Sequence, residues 1–406
     1  MTDMSIAPPY TEVHQHGVFP KPNHDEAARY NFLANFNRYM AQTLGPANAL
    51  TYEKRVLPKF VAAHGREPAN RHEVRKAMNA DPFHQMWSAL RRNSMEFRQQ
   101  NGRSIVLRQH PELSAKIREL NETAPGLELD PAIEIPRYQN AVDIHCMPGS
   151  YHGEECPDDW SAGANYDSGI FATTAGGIGA LSDGAGQAIV DWIERTRPGW
   201  KPRRVLDIGV TIGHNIVPLA LALPDTEIIA IDVAAPVLRY GHARAKALGA
   251  DNITFIQANA EDLSRWEDGY FDWVQTTMFM HETSRTALPK IMAEGFRVLA
   301  EGGLMLHLEQ PPYKPEMPVY EQFIRDWDSF NNNEPFWSTV HSLPLTGMMQ
   351  DAGFADSEIF EDHVKAVVDR SVFSATADEG KKEDHGRAAA WYALGGWKGN
   401  KAEAIA

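Results

Sequence analysis

Between residues 205 and 309 the chain passes through five short apolar runs: VLDIGV (205–210), EIIAID (227–232), ITFIQA (253–258), FDWVQTT (271–277) and LMLHLE (304–309). Each is strand length and mainly apolar, whereas helical segments fall between them near 213–222, 236–248, 260–265 and 285–299. A strand apolar on both faces must be covered on both faces. Parallel neighbours also need a crossover, which a helix supplies. The pattern therefore predicts an α/β chain, a Rossmann-like, mostly parallel sheet with helices on either side.

The flanking segments give this sheet its context. A helix carrying Ala188, Ile189, Trp192 and Ile193 leads into the first run, and 311–353 form an insertion with a Pro-rich turn and several aromatics. Two extended segments follow, SEIFEDHVKAV (357–367) and AAAWYALGGWK (388–398), joined by a charged linker. Upstream, residues 1–23 read as an extended arm. Ala28, Phe32, Phe36, Tyr39 and Thr43 then recur at helical spacing until Gly45-Pro46, which is expected to stop that helix. Further helices are expected over 51–63, 71–78, 82–100 and 111–121. Three parts result: a helical region over 1–125 acting as a lid or oligomerisation element, a connector over 126–181, and the sheet domain over 182–400 with its 311–353 insertion. The helix at 24–43 is a candidate homodimer contact, with packing inside the same chain the equal alternative.

Charge narrows the partners. The 406 residues carry a formal charge of −15. Residues 1–120 hold 17 Lys+Arg against 11 Asp+Glu, leaving 22 against 43 for the remainder. Binding nucleic acid needs clustered cations to neutralise phosphates, so no nucleic-acid partner is expected. The basic first part is expected to dock on the acidic remainder. No run of about 18 apolar residues occurs, and MTDMSIAPPYTEVHQHG has neither a basic start nor an apolar core, so neither a membrane span nor a secretory signal is expected. A cytoplasmic location follows as the expectation, and Cys146 and Cys156, ten apart in one polar loop, suit reduced thiols.

The chemistry concentrates at VLDIGVTIGHN (205–215). Asp207 ends a buried strand, and Gly209, Thr211 and Gly213 follow into a helix, so the backbone can approach a ligand where ligands of open α/β sheets collect. Nineteen residues beyond Gly213, the second strand ends in Asp232, whose carboxylate suits two ribose hydroxyls. No G-x-G-x-x-G is present, and an acid precedes the glycines. That favours a ligand with an amino group over one with a pyrophosphate.

These motifs resemble the class I S-adenosylmethionine-dependent methyltransferases, over about 182–400. VLDIGVTIG matches their first motif, with Thr211 in place of the usual middle glycine, and IIAID matches the second-strand motif. IQANAEDL, FDWVQTTMFMHE and FRVLAEGGLMLHLEQ match the third, fourth and fifth strands with their turns, and 357–367 and 388–398 fit the sixth strand and an antiparallel seventh. The resemblance implies a seven-stranded sheet and S-adenosylmethionine as cofactor. It implies contacts from Asp207, Gly209, Thr211, Gly213, Asp232, Val233, Asn259, Ala260, Glu261 and Thr276. It also implies transfer of an already activated methyl group to a small-molecule acceptor, most simply an oxygen of an aromatic or apolar metabolite.

Such transfer mainly requires alignment and exclusion of water, with proton removal when the acceptor is a hydroxyl. His281, just past the fourth strand, is the candidate base; Glu282 would orient it or bind substrate. Tyr151, His152, Tyr166 and Tyr313 are candidate acceptor contacts, in an aromatic roof that includes Trp160, Tyr320, Phe323, Trp327, Phe330, Phe336, Trp337 and His341. Gln310-Pro311-Pro312-Tyr313 imitates an amino-group methyltransferase signature but follows the fifth strand instead of the fourth, so it reads as a turn. The loop DIHCMPGSYHGEEC (143–156) holds His and Cys at no recognised zinc spacing, and no metal is expected. A nicotinamide-dependent oxidoreductase and a non-catalytic scaffold are the competing readings.

Overall fold

The computed structural model describes residues 9–13, 16–174, 176, 178–365, 367 and 390–399. The charged linker, residue 366 of the expected sixth strand and the first two residues of the expected last strand lie outside them. Eight strands build one sheet: β1 (Leu127–Glu128), β2 (Arg204–Ile208), β3 (Glu227–Asp232), β4 (Ile253–Gln257), β5 (Phe271–Thr277), β6 (Leu299–Glu309), β7 (Ile359–Lys365) and β8 (Ala390–Trp397). Their order is β1-β4-β3-β2-β5-β6-β8-β7. The first six are mutually parallel, and β8 runs antiparallel between β6 and β7.

The sheet is thus Rossmann-like as expected, but it has eight strands rather than seven. The extra one, β1, is a two-residue edge drawn from the expected connector. Gly126 makes it possible: its φ is +109°, and an added Cβ would lie 2.8 Å from the Ile253 carbonyl oxygen. Two residues are too few for a period, so the sequence carries no strand signal there.

Alternation along the strands places the core on both faces. Val205, Ile228, Trp273 and Leu304 pack on one side with Ile189 and Trp192; Leu206, Ile229, Val274 and Met305 pack on the other with Ile291. The helix expected at 260–265 does not form. Asn259 instead folds the chain into turns, accepting from the Glu261 N–H at 3.0 Å.

In the first part, Asn23 and Glu26 form a reciprocal capping box at the start of the helix His24–Tyr39. Gly45-Pro46 does not stop it. A wider turn, Met40–Leu44, carries the chain into the helix Gly45–Thr51, and Pro46 falls in the first turn of that segment, where a missing N–H costs least. Likewise 82–100 and 111–121 belong to one helix, Pro82–Thr123, 42 residues long with Pro111 inside.

That long helix passes the helix Ser161–Thr174, which arises within the expected connector and is wedged between Pro82–Thr123 and Ala235–Ala247. Small residues allow the approach. A Cβ on Gly163 would sit 2.6 Å from the Tyr240 Cβ, and one on Gly102 would sit 2.2 Å from Asn165 Oδ1 and 2.8 Å from the Tyr30 hydroxyl. A helix buried nearly all round has no apolar stripe, which is why its sequence reads as a linker. Gly102→Ala should therefore destabilise the protein by about 1–3 kcal/mol, the usual cost of overpacking, despite alanine's better helix propensity. Thermal melting checks this, and an unchanged or raised midpoint would contradict the packing described.

The 311–353 insertion folds as short helices, among them Val319–Arg325, Trp327–Asn331 and Leu345–Ala352. Its acids meet the basic first part: Arg71 pairs with Asp326 at 2.7 Å and Arg91 with Asp328 at 2.9 Å. The charge asymmetry in the sequence thus has a counterpart in ion pairs between these parts. Among the described residues no helix is long and apolar enough to cross a membrane.

Candidate active site

At the C-terminal ends of β2 and β3 the glycine turn brings two carboxylates to one edge. Gly209 has φ +76°, and a Cβ there would fall 2.2 Å from Phe279 Cδ2, so only glycine fits. Thr211 also lies in the left-handed region, at φ 52°, a strained conformation for a β-branched residue and the physical reason that glycine is usual there. Its N–H donates to Asp232 Oδ2 at 3.0 Å, and the Ala234 N–H donates to Oδ1 at 3.0 Å. Asp207, buried, accepts from Gln275 Nε2 at 2.9 Å, because β5 pairs Gln275 directly opposite it. Burial pushes Asp207 up to about 7 and Asp232 up to about 6, against the hydrogen bonds that favour their ionised forms. Two carboxyls with little local positive charge suit a ligand carrying an ammonium and hydroxyls, which fits S-adenosylmethionine.

These groups open on a cavity of about 430 Å³. Of the predicted residues, Asp207, Gly209, Thr211, Asp232, Val233, Asn259, Ala260, Tyr151, Tyr166, His281 and Glu282 line it. Five others do not. Gly213 closes the turn, donating to the Val210 carbonyl at 2.9 Å, and Glu261 turns outward to Lys290 at 3.0 Å. Thr276 is buried against His307 Nδ1 at 2.8 Å. His152 is half-buried outside the lining. Tyr313 bonds Asp326 at 2.5 Å and stacks on His341, so the Gln-Pro-Pro-Tyr sequence ends in a structural turn.

Opposite the acidic edge lies a charged roof. His281 Nδ1 contacts Glu309 Oε1 at 2.7 Å, and its ring packs edge-on against Trp337. Burial opposes charging this ring, but the Glu309 carboxylate more than reverses the effect, helped by Glu282 and Glu334, and lifts it to about 9. His145 bridges two carboxylates, Glu334 at 2.9 Å and Glu282 at 3.2 Å, and they raise it to about 10 against the same burial penalty. The Tyr151 hydroxyl donates to Glu282 Oε1 at 3.2 Å. His145 sits at φ 54°, and Met278, another wall residue, at φ 53°, so backbone strain gathers around the cavity.

Glu334, Tyr138 and Arg98 also line the cavity, and none of them belongs to a local motif; they reach it from the insertion, the connector and the long helix. Glu309, at the end of β6, does not line it and acts through His281. The roof is also less aromatic than expected. Tyr151, Tyr166 and Trp337 line the cavity; Trp160 belongs to the cluster behind Tyr151 and Tyr166, whereas Tyr320, Phe323 and Trp327 pack into other apolar clusters and Phe330 is exposed.

His110, Cys156 and Asp159 place potential metal ligands within 4.8 Å of one another. Asp159 already accepts four hydrogen bonds, from the Glu155, Trp160 and Ser161 N–H groups and the Ser161 hydroxyl, just before the helix Ser161–Thr174. It has no lone pair left for an ion.

A parallel sheet ending in an antiparallel insert, with acids on consecutive strands around a glycine turn, defines a nucleoside-binding α/β domain. Residues 205–303 match the family described as "Methyltransferase domain", in agreement with the resemblance of its motifs to the class I S-adenosylmethionine-dependent methyltransferases. Among similar proteins, a demethylmenaquinone methyltransferase of Thermus thermophilus is 33% identical over 111 residues, 27% of this chain and 49% of that protein. A ribosomal RNA small subunit methyltransferase G of Geobacter metallireducens is 27% identical over 115 residues, 28% of this chain and 52% of that one. The chain thus spans about half the length of these curated relatives. A solved phosphoethanolamine N-methyltransferase 2 of Haemonchus contortus, in complex with S-adenosyl-L-methionine, is similar over 53% of this chain and 52% of that one, at 16% identity and a TM-score of 0.37.

Proposed function

We propose that this protein methylates an oxygen of a small, flat, hydroxylated acceptor. The observation that carries the reading is the single cavity joining the Asp207–Asp232 edge to the His281–Glu309 pair. S-adenosylmethionine supplies a methyl group already activated on a sulfonium. The protein's part is binding, alignment and proton transfer. Asp232 holds the ribose hydroxyls, Asp207 the amino end, and Asn259 and Ala260 flank the base. Because His281 Nδ1 donates to Glu309, Nε2 is the atom left to take the acceptor's proton. A cation in the same cavity opposes protonation of that ring and brings it toward the neutral form the reaction needs. Tyr151, Tyr166 and Trp337 supply edges and faces for a planar body, and Arg91 and Arg98 of the long helix and Glu334 and Trp337 of the insertion contribute to the same wall.

The negative charge of the remainder and a cavity of about 430 Å³ favour a small molecule over nucleic acid. Incubation with labelled S-adenosylmethionine and a panel of phenols, hydroxy acids and amines, read by mass spectrometry, tests the reading. An O-methylated product is expected. Labelled amines alone would shift the reading to nitrogen. No product with any acceptor, in protein that binds S-adenosylhomocysteine, would favour the non-catalytic scaffold.

A further inference from the structure

Three arginines line the cavity, and they differ in their partners. Arg91 is paired with Asp328 at 2.9 Å and Arg325 with Glu321 at 2.9 Å. Arg98 is 4% exposed and has no carboxylate partner among the described residues. Its Nη1 donates to Thr173 Oγ1 at 3.1 Å, whereas Nε and Nη2 have no acceptor among those residues. The helix Pro82–Thr123 delivers it: Arg91, Met95 and Arg98 are spaced four and three apart and share the face turned to the cavity. Gly169 packs beneath it, where a Cβ would come within 3.2 Å of Arg98 Cγ and Nε. A buried guanidinium without a counter-ion is costly, and a planar fork with free N–H groups matches a carboxylate.

We propose that the methyl acceptor is a hydroxycarboxylate, a small monoanion whose carboxylate is held by Arg98 while its hydroxyl is turned to His281. A monoanion fits better than a phosphate dianion, because Glu282 and Glu334 line the same cavity and Arg98 alone of its three arginines has no carboxylate partner among the described residues. The Tyr166 hydroxyl registers both poles: burial raises it, Arg98 acts to lower it, and Glu282 and Glu334 act to raise it further. The two ends of the acceptor are thus recognised within one cavity. This inference rests on the methyl-transfer reading above.

Calorimetry on protein loaded with S-adenosylhomocysteine tests it, using matched acids and amides: 4-hydroxybenzoate with its amide, salicylate with salicylamide, and lactate with lactamide. At least one acid should bind about tenfold or more tightly than its amide, as a charge-assisted bidentate pair implies. Arg98→Met should erase that preference, leave S-adenosylhomocysteine affinity unchanged, and raise the melting temperature of the ligand-free protein by removing an uncompensated buried charge. Arg98→Lys, which keeps a cation without the fork, should retain part of the preference. Acids and amides binding alike in the unmodified protein, or a preference that survives Arg98→Met, would overturn the proposal. Failure of the unmodified protein to bind S-adenosylhomocysteine would overturn the methyl-transfer reading, and this inference with it.

Discussion

Replacing Asp232 by alanine should weaken S-adenosylhomocysteine binding by about 100-fold, measured by calorimetry. Hydrogen bonds to a charged group are worth about 1.5–3 kcal/mol each, and losing two ribose hydroxyl partners removes about 3 kcal/mol or more. The side chain also organises the site, since its two oxygens hold the Thr211 and Ala234 N–H groups. Without it, the turn that carries Gly209 and the strained Thr211 loses its anchor. Asp232→Asn separates these contributions, because the amide oxygen can keep one backbone donor while its NH2 faces the other. Its affinity should fall between those of the parent and the alanine variant. Binding by Asp232→Ala equal to the parent's would remove Asp232 from the cofactor site.

The second large effect concerns the proton. His281→Ala should lower kcat about 10²–10⁴-fold, the usual range for a general base, while S-adenosylhomocysteine affinity stays within about twofold. The pH profile gives an independent readout. Burial works against the imidazolium, but Glu309 stabilises it at 2.7 Å and lifts the ring to about 9. A base must be neutral to accept a proton, so kcat should climb with pH, its limb lying below that value because the bound sulfonium cation opposes protonation of the ring. Glu309→Gln removes the anion that favours the protonated form. The ring's pKa then falls, and the ascending limb moves to lower pH while the plateau drops, because Nδ1 has lost the partner that orients it. Loss of activity without movement of the limb would assign Glu309 to packing alone, and unchanged turnover in His281→Ala would leave His281 a structural residue.

How much of this was legible depended on the range of the interaction. Asp207 and Asp232 stand at strand ends beside a glycine turn, a local arrangement that a single strand–turn–helix unit must produce, so both could be named from sequence. His281 and Glu282 follow β5 for the same reason. Glu309, by contrast, is one acid at the end of β6, and nothing within its own segment says that it meets His281. The β5–β6 pairing decides that, by placing Thr277 opposite Leu308 so that the two strand ends meet. Arg98, His145 and Glu334 converge from three segments far apart in the chain, and their roles exist only where those segments meet.

The misread elements obey the same distinction. Gly102 and Pro111 are helix breakers by propensity, yet Pro82–Thr123 runs through both, because packing against the helix Ser161–Thr174 requires a residue without Cβ at position 102. Propensity is worth at most a few kcal/mol and yields to burial. The sequence by itself determined the parallel sheet, the order of its first-motif elements and the acidic cofactor edge, since strand periodicity, glycine conformation and charge act within a few residues of one another. Only the tertiary structure decided the roof: which acids face the two histidines, which aromatics line the cavity, and that Arg98 stands there without a carboxylate among the described residues. Those are properties of distance in space, and hydrogen bonds and ion pairs form between whatever the packed helices bring within about 3 Å.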